Sequence, residues 1–178
     1  GLGEGDKQAQ VISDNAASTI EVNADNVTIQ GMRFTAGVTV VAKGIDIVDG
    51  ADDFAISNCR FDVTTVGTHE YEDVIFVTTS DRGIIENNYI DMDDTADSDS
   101  AIHLVGICLG CTIRNNYITG DYTVACIESI TTAQEQIVIE NNTLINGVHG
   151  GLGTVAVISL LTGTTGVIQN NNLYTNVS

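Results

Sequence analysis

The chain has 178 residues, of which 24 are acidic and only six are lysine or arginine, so its formal net charge at pH 7 is -18. An acidic surface repels phosphate groups, so an anionic membrane surface is a poor partner and no nucleic-acid partner is expected. No apolar run approaches the roughly 20 residues of a membrane-spanning helix, and we expect no membrane insertion. The abundance of Ile, Val and Thr beside 18 glycines and no proline predicts an all-β chain of short strands and tight turns.

The predicted strands recur in a fixed order along the chain. A loop at Gly1–Asp6 and a short strand at Val11–Ile12 belong to an incomplete first coil. A strand at Thr19–Val22, a turn at Asn23–Asn26 and a strand at Val27–Ile29 follow. The two strands then return as Gly44–Ile47 with Phe54–Ile56, Val74–Phe76 with Gly83–Ile85, Ala101–Leu104 with Cys111–Ile113, Cys126–Glu128 with Ile137–Ile139, and Val155–Ile158 with Gly166–Ile168.

A six-residue motif, Ile-Arg-Asn-Asn-Tyr-Ile at Ile113–Ile118, closes each of these pairs and supplies a third strand. Near-copies occur at Ile29–Phe34, Ile56–Phe61, Ile85–Ile90, Ile139–Leu144 and Ile168–Leu173. Subtracting the numbers of the first isoleucines gives spacings of 27, 29, 28, 26 and 29 residues. Such an interval is typical of solenoids. The chain is therefore predicted to be one domain, residues 1–178, a parallel β-helix of about six coils stacked about 4.8 Å apart.

Stacking the copies converts sequence positions into columns along the solenoid. One column contains Gly31, Asn58, Asn87, Asn115, Asn141 and Asn170. Asn and Gly enter the left-handed backbone region most readily, so this column predicts a bend in every coil. Stacked asparagines can also form a ladder of amide hydrogen bonds from coil to coil. An inward column is predicted at Phe34, Phe61, Ile90, Ile118, Leu144 and Leu173, beside the first isoleucine of each motif.

The repeated Ile-x-Asn-Asn-x-Ile pattern resembles right-handed, single-stranded parallel β-helix proteins of the pectate-lyase-like superfamily, from roughly Thr19 to Tyr174. The resemblance implies an asparagine ladder at the turn between the second and third sheets. Members include polysaccharide lyases and hydrolases, bacteriophage tailspikes, other virion proteins and surface adhesins. The acidic, Thr-rich coils are most similar to structural β-helix proteins of phages and environmental viruses, which are commonly trimers.

One outward column carries the candidates for chemistry, and it is predicted to contain Asp46, Ile75, His103, Glu128 and Ile158. A carboxylate beside an imidazole could make His103 and Glu128 a general acid and base. The structural interpretation, a polar pair on a sheet face, is the preferred one. Outward Ile75 and Ile158 would indicate subunit contact, in agreement with a homotrimer.

Two further groups have competing interpretations. The loop Asp91–Asp99 places carboxylates at Asp91, Asp93, Asp94, Asp97 and Asp99, which could bind Ca²⁺ or simply be solvated; no other cofactor is predicted. Arg114 lies between Glu86 and Glu140 in adjacent coils, which predicts a Glu-Arg-Glu salt ladder.

The four cysteines are Cys59, Cys108, Cys111 and Cys126. A single Cys-x-x-Cys pair does not predict zinc. Free buried thiols are the primary prediction and a disulfide is the alternative.

The function predicted from these features is a non-enzymatic structural or spike module of a virion or extracellular surface assembly, trimeric and part of a longer chain. The alternative is a carbohydrate-active (polysaccharide lyase or hydrolase) or glycan-binding β-helix protein. Aromatic residues make up only 5% of the chain and tryptophan is absent, which disfavours sugar processing.

Overall fold

The computed structural model describes residues 8–63, 68–92, 98–147 and 156–175. Over these ranges the chain forms β-strands and no helix. The strands are β1 (Ala9–Ser13), β2 (Ile20–Val22), β3 (Thr28–Gln30), β4 (Met32–Ala36), β5 (Val41–Ile47), β6 (Ala55–Ser57), β7 (Arg60–Val63), β8 (Tyr71–Val77), β9 (Ile84–Glu86), β10 (Tyr89–Asp91), β11 (Ser100–Leu104), β12 (Thr112–Arg114), β13 (Tyr117–Gly120), β14 (Ala125–Ser129), β15 (Ile137–Glu140), β16 (Thr143–Asn146), β17 (Ile158–Leu160), β18 (Gly166–Gln169) and β19 (Asn172–Thr175).

Each coil contributes one strand to each of three parallel sheets, and every strand pairs with the one three positions later in the chain. The first sheet has the order β2-β5-β8-β11-β14-β17, the second β3-β6-β9-β12-β15-β18, and the third β1-β4-β7-β10-β13-β16-β19. The prediction of an all-β parallel solenoid of about six coils is confirmed. None of the described residues belongs to a helix that could cross a membrane.

The interior is filled by columns of apolar side chains, one from each sheet. The first isoleucines of the motifs pair in register along the second sheet. The predicted column from Phe34 to Leu173 pairs in register along the third. Stacking within this column is direct, since the rings of Phe34 and Phe61 lie 4.9 Å apart and nearly parallel. Both inward columns are buried except in the last coil, where Ile168 is 52% and Leu173 is 49% exposed.

The register of the first sheet corrects the predicted outward column. Phe76 pairs with both Asp46 and His103, and Glu128 pairs with His103 and with Ser159. Ile75 and Ile158 belong to the inward column, because each pairs with an isoleucine of the neighbouring strand. Ile75 is buried and Ile158 is half-buried against the core. The two isoleucines therefore face the interior and do not indicate a subunit contact.

The bend before the third sheet has the backbone conformation that the sequence predicts. Positive φ angles of 53° to 68° occur at Gly31, Asn58, Asn87, Asn115, Asn141 and Asn170. A second column with positive φ precedes the second sheet, and there the residues are chemically mixed: Asn26, Asp53, Arg82, Gly110 and Gln136.

The amide hydrogen bonds of the bend lie one residue later than predicted, at Asn88, Asn116, Asn142 and Asn171. The Asn116 side-chain amide donates to the Ile85 carbonyl at 2.9 Å and to Asn142 Oδ1 at 3.1 Å. Asn88, Asn116 and Asn142 are buried. The first asparagine of each pair thus bends the backbone, and the second joins the coils.

The cysteines divide into a bonded pair and two free thiols. Cys108 and Cys111 form a disulfide, which corrects the primary prediction of free thiols for these two residues. Gly110, with a φ of 70°, turns the chain between them and brings their Cα atoms to 5.6 Å. Cys59 and Cys126 are free and buried, as predicted.

Candidate functional site

The candidate site lies on the outer side of the first sheet, where β8, β11 and β14 are adjacent. It consists of Asp73 from β8, His103 from β11 and Glu128 from β14, which we call the Asp-His-Glu cluster. Because β11 is the central strand of the three, the imidazole stands between two carboxylates that come from different coils. The sequence predicted the pairing of His103 with Glu128, and the strand register places them opposite each other.

Both ring nitrogens of His103 face a carboxylate. Nδ1 lies 3.1 Å from each carboxylate oxygen of Asp73 and is hydrogen-bonded to them. Nε2 lies 2.8 Å from Glu128 Oε1, but the angles of this contact are not those of a hydrogen bond. Asp73 and Glu128 are buried, and the side chain of His103 is 16% exposed. The edge of the imidazole also packs against Phe76, with ring centroids 5.1 Å apart.

Asp73 is the member of the cluster that sequence reasoning missed. It lies three residues before Phe76, so strict alternation assigns it to the inner side of the sheet. Lys43, its partner in register, also lies three residues before an outward residue, Asp46, yet its ammonium contacts that carboxylate at 2.8 Å. A charged residue at this position in two successive coils is the signal that the strands depart from alternation there. Gly44 permits close strand contact, because a Cβ atom at this position would lie 2.5 Å from the Val74 carbonyl oxygen.

The electrostatics of the cluster follow from its burial. Burial alone lowers the pKa of His103, but the hydrogen bonds with Asp73, the close contact with Glu128 and the charges of both carboxylates outweigh it and raise the pKa to about 9. The pKa of Asp73 is raised, because burial outweighs the hydrogen bond and charge of His103. The imidazole is therefore an internal cation at neutral pH in this arrangement. A general base would need to be neutral, so the cluster is poorly suited to that role.

Asp46, the third candidate from the sequence, is not part of the cluster, because Phe76 stands between it and His103 in the column. The Asp46 carboxylate accepts from Lys43 at 2.8 Å and from the Ser18 hydroxyl at 3.4 Å. Lys43 also lies 3.6 Å above the centre of the Phe76 ring. Asp46 and Lys43 thus form a separate ion pair beside the cluster.

Of the predicted calcium ligands, Asp93, Asp94 and Asp97 lie outside the described residues. Asp91 accepts a hydrogen bond from the Tyr89 hydroxyl at 3.1 Å, and Asp99 accepts one from Thr123 at 2.8 Å. These bonds are within the protein and do not assemble a set of calcium ligands.

Half of the predicted salt ladder is formed. Arg114 pairs with Glu86 at 2.7 Å, whereas Glu140 accepts from Gln169 at 2.7 Å. The positions share one column, as predicted, but Arg114 engages only one of its two acidic neighbours by these contacts.

The Asp-His-Glu cluster has the composition of a metal centre, since one nitrogen and two carboxylate oxygens lie within 4.8 Å of one another. The other chemistry open to it is structural, an ion-pair network across three coils.

No protein-family model matches the chain, and neither a curated protein nor a solved structure shows significant similarity to it. Function is therefore inferred from the residues themselves.

Proposed function

We propose that this chain is a non-enzymatic structural module of a virion or cell-surface assembly. It is a rigid rod in which side chains on the outer faces link each coil to the next. The observation that supports this role most directly is that outward polar side chains of one coil form ion pairs with those of the next coil. Arg33 bridges to Asp62 at 2.8 Å on the third sheet, and Arg114 bridges to Glu86 on the second. Each pair is weak at an exposed surface, but repeated pairs on several coils favour one straight arrangement.

Two features favour an extracellular or virion location. The surface carries a large excess of acidic residues, which keeps a protein soluble and discourages binding to nucleic acid. The disulfide between Cys108 and Cys111 is typical of proteins that mature in oxidising surroundings. The resemblance of the repeat to virion β-helix proteins agrees with both. The isoleucines that suggested a trimer face the core and give no support to that stoichiometry.

Polysaccharide hydrolysis, one form of the carbohydrate-active alternative, requires two carboxyl groups that face a sugar from opposite sides. Asp73 and Glu128 are buried instead, and both contact the ring of His103. One flat aromatic surface, the ring of Tyr89, is also covered, since it packs between Tyr117, with ring centroids 5.2 Å apart, and the guanidinium of Arg60. The geometry therefore favours the structural role.

The two functions are separated by one pair of measurements. Native mass spectrometry of the assembly isolated with an antibody to this chain should show a fixed copy number of the chain. In parallel, purified protein incubated with a panel of neutral and acidic polysaccharides should release neither reducing ends nor unsaturated sugars. Turnover that disappears in His103→Gln or Glu128→Gln, but persists in Glu86→Gln, would replace the structural proposal with the enzymatic one.

A further inference from the structure

The Asp-His-Glu cluster contains two buried polar atoms without a hydrogen-bond partner among the described residues. Glu128 is 1% exposed, and its Oε2 atom is buried without a hydrogen-bond partner among the described residues. His103 Nε2 is also without a hydrogen bond, although it lies 2.8 Å from Glu128 Oε1. An unsatisfied buried polar atom costs about 1 to 3 kcal/mol, so two in one place indicate that a bound species completes the site.

The charge of the cluster indicates the sign of that species. The Lys43 ammonium, the nearest basic group by strand register, is engaged by Asp46 and by the face of Phe76. Asp73 and Glu128 therefore share only the imidazole as a cationic partner among the contacts of the described residues. Two carboxylates with one imidazolium retain a net negative charge, whereas two carboxylates, a neutral imidazole and a divalent cation are neutral. Burial favours the neutral combination.

We propose that Asp73, His103 and Glu128 bind one divalent transition-metal ion, with Zn²⁺ as the representative, and that the ion clamps three consecutive coils. Imidazole nitrogen and carboxylate oxygen are donor types that this class of ion accepts, and one nitrogen and two oxygens lie within 4.8 Å of one another. Ca²⁺ fits less well, because it prefers six to eight oxygen ligands. Three protein donors leave a coordination position for water. The proposal adds a ligand to the structural module and does not depend on its location.

The position of the ion gives it a mechanical consequence. Its ligands come from β8, β11 and β14, so a bound ion links three strands that backbone hydrogen bonds and the contacts of His103 with Asp73 and Glu128 already join at this point. Any ligand that binds the folded protein and not the unfolded chain raises the free energy of unfolding. Zn²⁺ is therefore expected to raise the unfolding temperature of the metal-free protein.

The test uses protein stripped with EDTA and then dialysed, in buffer that contains excess Mg²⁺ to occupy loose carboxylate sites. Isothermal titration with ZnCl₂ should show one Zn²⁺ per chain. Asp73→Asn, His103→Gln and Glu128→Gln should each weaken this binding at least about tenfold. The matched control is Glu86→Gln, which removes a carboxylate from a coil-to-coil pair on a different sheet and should leave Zn²⁺ affinity unchanged. Equal loss in Glu86→Gln and Glu128→Gln, or no saturable binding by the wild type, would overturn the proposal.

A spectroscopic readout keeps the test independent of variant folding. The wild-type chain has three histidines, so His69→Gln and His149→Gln variants assign the imidazole signals in a nitrogen-correlated NMR spectrum. Only the His103 signals should shift on addition of one equivalent of Zn²⁺, and Co²⁺ should give the visible absorption of a nitrogen- and oxygen-ligated ion. Zn²⁺ shifts confined to His69 or His149 would show that the ion binds elsewhere and would reject the assignment.

Discussion

Asn88 and Asn116, in adjacent coils, are joined through a single oxygen atom. Asn116 Oδ1 accepts hydrogen bonds from the backbone N–H of Asn88 at 3.0 Å and from its side-chain amide at 3.1 Å. Both residues are buried, so water cannot replace these bonds when one partner is removed. In the four coils that have a second asparagine, this residue is therefore a structural requirement, whereas the first position of the pair needs only a permissive backbone.

Replacement of Asn116 by Ala is expected to destabilise the protein by about 3 kcal/mol or more, because it leaves several buried backbone and amide groups unsatisfied. Chemical unfolding monitored by circular dichroism measures the change. The control is Asn115→Gly, which retains the positive φ of 55° and should change stability by less than about 1 kcal/mol. Equal losses in the two variants would contradict the different roles that we assign to the two asparagines.

The stability of the metal-free protein should depend on pH through His103. Its folded pKa is about 9 and its ordinary value is 6.5, so the cation is favoured by folding. The contribution is complete below about pH 6.5 and is lost as the pH rises through about 9. It amounts to at most about 3 kcal/mol. The charged neighbours that set it are Asp73 and Glu128 on the flanking strands, with Asp99 acting on Asp73.

Urea unfolding in EDTA between pH 6 and pH 9.5 measures this dependence. The wild type should lose stability across the range, and His103→Gln should lose less, with its remaining slope above about pH 8.5 due to the buried thiols Cys59 and Cys126, whose pKa values burial raises. A profile of the same slope in both proteins would assign the pH dependence to other groups.

The disulfide predicts a specific count of thiols. Of the four cysteines, two should react with a thiol reagent in denaturant, and all four should react after reduction. Reduction removes the cross-link that closes a loop of four residues. In the chain-entropy account this should lower the free energy of unfolding by about 2 kcal/mol. Mass spectrometry of alkylated peptides gives the count, and labelling of four cysteines without reductant would contradict the Cys108–Cys111 bond.

Two substitutions in the second column with positive φ, which precedes the second sheet, should have opposite effects on stability. Gln136 is exposed and has a φ of 55°, which an L-residue with a long side chain adopts at a cost of about 1 kcal/mol. Gln136→Asn should therefore stabilise the protein by about 0.5 kcal/mol. Gly110→Ala, in the same column, should destabilise it by about 1 kcal/mol, although a Cβ atom there meets nothing within 4 Å. Thermal unfolding of both variants tests whether backbone conformation alone determines these effects.

The sequence predicted the coils and two of the inward columns because Ile113 and its counterparts repeat at a nearly constant interval. Where two neighbouring residues are of the same type, the sequence did not show which of them takes which structural position. Ile75 and Phe76 are both apolar, so one residue of register in the first sheet was ambiguous until the pairing with His103 was known. The same holds for Asn115 and Asn116.

The candidate site was predictable only in part. The pair His103 and Glu128 follows from coil spacing, since both are outward residues of successive strands. To predict Asp73, one would need to know that the strand departs from alternation beside Gly44. That departure depends on how closely two strand backbones approach. To predict the disulfide, one would need to know the turn at Gly110, because the sequence spacing of two cysteines does not set the distance between their Cα atoms.

The asparagine ladder also determines how the chain can fold. Its side-chain bonds join residues 28, 26 and 29 positions apart, so each coil closes a loop of nearly the same length. The entropy of closing such a loop depends only weakly on length, and every added coil therefore meets a similar barrier and gains similar contacts. Folding can begin with any two adjacent coils and spread to both sides, as in a one-dimensional chain of coupled units. A destabilised coil accordingly weakens its two neighbours first, while more distant coils retain their own contacts.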